Sequence, residues 1–125
     1  MGKKKIFIVD DDEDQLNLAR LFLEKEGFEI IPCYDGLTAI DKADKLKIDL
    51  ILLDLNIPGA NGFQVCEALK ASPKTSSIPI IICSARHDYD SCDKVLQMGA
   101  TSYLFKPYGR EQLVQKVKKA LSLEK

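Results

Sequence analysis

Leu50-Ile51-Leu52-Leu53-Asp54-Leu55 is a run of six residues in which one carboxylate interrupts five aliphatic side chains. Apolarity this continuous, with no polar alternation, suits a strand covered on both faces, as the strands of a parallel sheet are. Four further runs share its character: Ile6 to Val9, Glu29 to Cys33, Ile78 to Ser84 and Tyr103 to Phe105. Apolar residues recur at helical spacing elsewhere, as in Leu16, Ala19 and Leu23 with Leu18 and Phe22, and in Leu113, Val117 and Leu121 with Val114 and Ala120. Asp12 with Gln15, Asp35 before Gly36, and Asn61 with Gln64 suit helix starts, while Gly27 and Gly99 suit helix ends.

Strands alternating with helices in this way predict an α/β fold: a five-stranded parallel sheet, doubly wound with five helices. Glu29 and Pro32 place the second run at an edge, because Pro cannot donate to a ladder from a central position. Pro79 stands at the start of its run, where a missing N–H is tolerated, and Leu50 to Leu55 belongs at the centre. The order 2-1-3-4-5 satisfies these preferences.

The chain has 125 residues, which predicts a single domain over 1–125, with no linker or low-complexity tract. Eighteen Lys and Arg against nineteen Asp and Glu leave a net charge of -1, which argues against direct binding to nucleic acid. Cys33, Cys66, Cys83 and Cys92 include no C-x-x-C pair and read as reduced core thiols. No apolar run reaches the ~20 residues of a membrane span, and the start resembles no secretory leader, so the expected compartment is the cytoplasm, away from membranes.

Polar residues cluster where these strands end: Asp10 and Asp11 after the first, Asp54 near the end of the third, Ser84 on the fourth and Lys106 after the fifth. In an open parallel sheet those ends form the ligand crevice, at the switch point between strands 1 and 3. Three ionised carboxylates about 5 Å apart would repel by roughly 3 kcal/mol per pair at an effective dielectric near 20. Either one takes up a proton or a divalent cation binds, and each carboxylate would gain roughly 8 kcal/mol from such a cation at about 4 Å. Oxygen-only ligands suit Mg²⁺. Ser84 and Lys106 add a hydroxyl and a positive charge, which want an anion. A carboxylate nucleophile, a divalent metal, a hydroxyl and a lysine are the parts for forming an aspartyl phosphate.

In Ile8-Val9-Asp10-Asp11-Asp12, Asp49 through Gly59, Asn61-Gly62-Phe63, Ile80-Ile81-Ile82-Cys83-Ser84-Ala85 and Gly99 through Pro107, the sequence resembles the receiver domain of two-component response regulators, with its flavodoxin-like fold. The resemblance implies a phosphorylation-controlled switch that catalyses only its own phosphorylation and dephosphorylation. It makes Asp54 the phosphoacceptor, with Asp10, Asp11, Asp54 and the Asn56 carbonyl as Mg²⁺ ligands. Ser84 and Lys106 would contact the phosphoryl group, Ser84 and Tyr103 would switch, and Lys106-Pro107 would be cis. Arg86, like Asn56, would tune the phosphoryl lifetime. Implied partners are a sensor histidine kinase or histidine phosphotransfer protein, and a downstream effector or a linked output domain absent from this chain. The switching face would be helix 4, strand 5 and helix 5, and a phosphorylation-dependent homodimer is compatible with it. Asn61 stands where Asp is common, and Tyr108 where Phe is common.

Plainer readings cover other residues. Asp12, Glu13 and Asp14 suit a helix N-terminus, His87 a solvated loop, Cys83 a buried thiol, and Lys116, Lys118 and Lys119 a solvated helix face or a partner contact. A haloacid-dehalogenase-like phosphatase would place its nucleophile early in the chain and an Asp where Asn56 stands. A flavodoxin-like FMN module would need a Ser/Thr/Gly-rich phosphate loop where five acids follow strand 1. A receiver-like interaction module that is never phosphorylated is opposed by the intact residue set.

Overall fold

The computed structural model describes residues 2–85 and 88–122, so the expectations for Arg86 and His87 lie outside the described residues. Five strands and five helices alternate: β1 (Lys5–Val9), α1 (Glu13–Lys25), β2 (Glu29–Cys33), α2 (Gly36–Lys45), β3 (Leu50–Asp54), α3 (Gly62–Ala71), β4 (Ile80–Ala85), α4 (Tyr89–Gln97), β5 (Ser102–Lys106) and α5 (Arg110–Ala120). All pairings are parallel, in the order β2-β1-β3-β4-β5. The expected order therefore holds, with β3 central and Pro32 in an edge strand opposite Ile8. Pro79 falls just before β4, where its carbonyl still accepts from the Ile51 N–H.

Successive strand residues face opposite layers. Ile6, Ile8, Leu50, Leu52, Ile81 and Leu104 pack against Leu16, Ala19 and Leu23 of α1 and Leu113, Val114 and Val117 of α5. Phe7, Val9, Ile51, Leu53, Ile80 and Ile82 meet Ala39 and Ala43 of α2, Val65, Cys66 and Leu69 of α3, and Val95 of α4. Each fully buried aliphatic side chain of β3 contributes about 1.5–3 kcal/mol, so the central strand anchors both layers.

The helix starts follow their capping residues. Asp12 accepts from the Asp14 and Gln15 N–H groups, Asp35 from Thr38, and Asn61 with Gln64 forms a reciprocal capping box. Gly27 and Gly99 sit at positive φ, of 91° and 110°. One expectation fails: Leu18, placed on the apolar stripe of α1, is exposed, because Leu16, Ala19 and Leu23 already fill the contact with the sheet. All four cysteines are buried and free. Among the described residues, no helix is long and apolar enough to cross a membrane.

Candidate functional site

Asp10 follows β1, Asp54 closes β3 and Lys106 closes β5, each continuing the alternation of Ile8, Leu52 and Leu104 on the α1/α5 side of the sheet. Parallel register brings all three to one edge. Lys106 Nζ donates to Asp10 Oδ2 at 2.8 Å and to Asp54 Oδ2 at 3.0 Å. Asp11 joins them, so that one oxygen from each of Asp10, Asp11 and Asp54 lies within 4.8 Å of the others. Asp10 and Asp54 are buried, whereas Asp11 is exposed.

At an effective dielectric near 20, a 3 Å ion pair is worth about 5.5 kcal/mol, and two carboxylates 4.8 Å apart repel by about 3.5 kcal/mol. Lys106 thus partly relieves a repulsion that the sequence alone assigned to a proton or a metal. Burial pushes the Asp54 carboxyl above its ordinary range and the Asp10 charge adds to this, against the opposing pull of the Asn56 N–H at 3.1 Å and of Lys106. For Lys106, burial disfavours the ammonium, but the bonds to Asp10 and Asp54 outweigh it and hold the group above its usual value. The remaining Asp10 oxygen, Oδ1, accepts from the Asp12 N–H at 2.9 Å. Three carboxylates that converge with only oxygen donors fit Mg²⁺, a hard cation that keeps several waters.

Gly62 lets α3 start directly beneath this edge. A Cβ there would meet the Leu55 Cα at 2.5 Å and the Asp54 carbonyl oxygen at 2.9 Å, while its N–H donates to the Leu55 carbonyl. The crevice above Asp54 is a cavity of about 380 Å³ lined by Gln15, Asp54, Asn56, Ala85, Lys106 and Pro107. The Lys106-Pro107 peptide is cis, as expected.

Ser84 departs from its expected place in the crevice. It continues the alternation of Ile80 and Ile82 on the opposite side of the sheet, and its hydroxyl donates to Asp88 Oδ2 at 3.0 Å. Asp88 also caps α4, through the Ser91 N–H. Hydrogen bonding from Ser91 chiefly, helped by the Ser84 hydroxyl, holds the Asp88 carboxyl below its usual range against the opposing effect of desolvation, which is larger than the Ser84 contribution alone. The signal for Asp88 was in the sequence: an Asp three residues before Ser91 at the start of a helical period is a capping pattern.

Tyr103 is half-buried, 5.2 Å from the Phe105 ring between centroids, with Lys116 Nζ 5.8 Å above its own ring. Lys118 pairs with Glu26 at 2.8 Å, so the lysines of α5 do not form one solvated face. Cys83 is buried between β3 and β5, and desolvation pushes its thiol up against the opposing field of Lys106. Tyr108, where Phe is common, is likewise pushed up by burial and packs with the α1/α5 layer.

Residues 6–118 match the family model described as the response regulator receiver domain. The DNA-binding response regulator MtrA of Mycolicibacterium paratuberculosis is 35% identical over 119 residues, covering 95% of this chain and 52% of that protein. The sensory transduction protein RegX3 of Mycobacterium tuberculosis is 37% identical over 118 residues, covering 93% and 50%. The chain therefore spans about half the length of the curated relatives it matches. Among solved structures, a two-component response regulator from Clostridium difficile superposes with a TM-score of 0.87 at 31% identity, covering 96% of this chain and 97% of that one. The receiver domain of sensor histidine kinase PA1611 from Pseudomonas aeruginosa, crystallised with a magnesium ion coordinated in its active-site cleft, shares the fold with a TM-score of 0.89 at 24% identity, covering 97% and 99%.

Proposed function

The chain belongs to the response regulator receiver family, and from that premise we propose that it is a phosphorylation-controlled switch of a two-component phosphorelay, with Asp54 as its phosphoacceptor. The observation that carries this reading is the convergence of Asp10, Asp11, Asp54 and Lys106 at the mouth of one crevice. Asp54 is the carboxylate that lines that cavity from the end of the central strand.

In the proposed reaction an Asp54 oxygen forms a bond to phosphorus as the bond from phosphorus to the donor, a histidine nitrogen or a small acyl phosphate, breaks. Catalysis here is placement and charge neutralisation. Lys106, already within 3.0 Å of the Asp54 oxygen, would follow the charge onto the phosphoryl oxygens. Mg²⁺, held by Asp10, Asp11, Asp54 and the Asn56 carbonyl, supplies the remaining neutralisation when bound. Ser84 would exchange its bond to Asp88 for one to the phosphoryl group, and Tyr103, beside Ile82 in the β4–β5 register, would move with the loop. A full 1:99 to 99:1 shift needs about 5.5 kcal/mol of differential affinity between the two states.

The proposed partners follow from the family: a sensor histidine kinase or histidine phosphotransfer protein upstream, and an effector protein or a linked output domain downstream. MtrA is named as DNA-binding as a whole protein, which fits an output domain lying outside the matched half. We take residues 1–125 as one receiver domain that acts on no substrate but its own phosphoryl group.

Mass spectrometry after incubation with acetyl phosphate and Mg²⁺ tests the reading. Wild type should gain one phosphoryl group and Asp54→Asn none. Persistence of the adduct in Asp54→Asn would overturn the assignment.

A further inference from the structure

We infer that Gln15 is the positioning residue that orients the water which hydrolyses the aspartyl phosphate; this rests on the proposed phosphorylation of Asp54. Gln15 has the sequence position of a partner for the Asp12 cap, three residues into the helix. Its backbone N–H does donate to Asp12 Oδ1 at 3.2 Å. Its side chain makes no reciprocal bond, unlike that of Gln64 at Asn61 or of Gln112 at Gly109. Instead Gln15, half-buried, lines the crevice together with Asp54. Its carboxamide has no hydrogen-bond partner among the described residues.

Hydrolysis proceeds by in-line attack. A water oxygen forms a bond to phosphorus, the bond from phosphorus to the Asp54 oxygen breaks, the Asp54 carboxylate is regenerated, and a water proton leaves with the inorganic phosphate or to solvent. The attacking water must approach from the side away from Asp54, which is the open mouth of the crevice. It needs an acceptor there to turn a lone pair toward phosphorus, as a glutamine does for the attacking water in several nucleotide hydrolases. Of the cavity's lining, Ala85 and Pro107 carry no polar side-chain atom, and the Lys106 ammonium can only donate. Asp10 and Asp11 are the ligands proposed for Mg²⁺ and Asp54 carries the phosphoryl group, so among the described residues two carboxamides are left. Asn56 sits on the loop that leaves Asp54, with its backbone N–H turned back to Asp54 Oδ1 and its backbone carbonyl assigned to Mg²⁺, so it belongs to the frame that holds the phosphoryl group. Gln15 stands on a separate element, α1, with both an acceptor and a donor unspent.

The test uses protein phosphorylated at Asp54 with acetyl phosphate and Mg²⁺, freed of the small donor, so that only the decay of the adduct is followed by mass spectrometry. Gln15→Leu, close in size and without the acceptor, should lengthen the lifetime about three- to tenfold, the value of one hydrogen bond made to the attacking water. Gln15→Glu retains an acceptor oxygen and should decay at least as fast as wild type. A Leu variant that decays at the wild-type rate overturns the inference, and so does a Glu variant as slow as the Leu variant, since packing alone would then explain both. If wild type takes up no phosphoryl group at Asp54, the functional reading itself fails, a result distinct from either of these.

Discussion

Replacing Asp54 with Asn should make the metal-free protein more stable, although it removes a carboxylate that holds an ion pair. At 3.0 Å from Lys106 Nζ, that pair is worth about 5.5 kcal/mol at an effective dielectric near 20. Against it stand about 3.5 kcal/mol of repulsion from buried Asp10 at up to 4.8 Å, and about 1 kcal/mol from exposed Asp11, whose charge water screens. These charge–charge contributions cancel to within about 1 kcal/mol. What remains is the cost of stripping water from a carboxylate that is 7% exposed, several kcal/mol for an ion, offset in part by the Asn56 N–H. The upward shift of the Asp54 carboxyl has the same sign: folding disfavours its charged form, so stability falls as pH rises from the unfolded value through the folded one. An amide avoids that cost at nearly the same volume and keeps an oxygen for the Asn56 N–H. The net expectation is a gain of about 1–2 kcal/mol at pH 7, or a rise in urea midpoint of roughly 1 M. Urea unfolding followed by circular dichroism in EDTA measures it. Millimolar Mg²⁺ should then stabilise wild type more than Asp54→Asn, narrowing the gap by mass action. An Asp54→Asn midpoint equal to or below that of wild type in EDTA would refute the reasoning.

Gly62→Ala should destabilise by about 1–3 kcal/mol, since its Cβ meets backbone at 2.5 Å and 2.9 Å, and should slow phosphorylation because that backbone carries Asp54; urea midpoints and adduct formation read the two effects. Asp88→Ala removes the acceptor that holds the Ser84 hydroxyl, so a phosphoryl mimic such as beryllium fluoride should bind roughly threefold tighter, and unchanged affinity would show that the bond does not restrain Ser84. Asp35 should titrate below its unfolded value, held there chiefly by the Thr38 backbone N–H and then by the Thr38 hydroxyl. Its support for α2 is therefore complete above the unfolded value and lost as pH falls through the folded one. Carboxyl NMR should find that Thr38→Val moves the titration upward.

The architecture was legible because parallel sheets bury both faces of each strand. Leu50 to Leu55 could only be central, Pro32 only at an edge, and the polar residues that end the strands had to meet at one rim. The same logic brings Asp10, Asp11, Asp54, Ser84 and Lys106 to one rim, and all but Ser84 turn into the crevice there. Residue type and chain position suffice for such conclusions because strand period and parallel register carry them.

The partners of those side chains were decided only by the tertiary structure. Lys106 could be read as a group awaiting an anion, but its separation from Asp10 and Asp54 depends on β5 standing two strands away from β3 at a particular register. Ser84 faces Asp88 because of the side of the sheet on which β4 leaves it and where α4 begins. Gln15 enters the crevice rather than closing its cap, and Leu18 meets solvent rather than the sheet, because the rotation of α1 is set by how Leu16, Ala19 and Leu23 seat on β1 and its neighbours. Each of these is a choice between two locally acceptable placements, and packing between elements distant in sequence makes it.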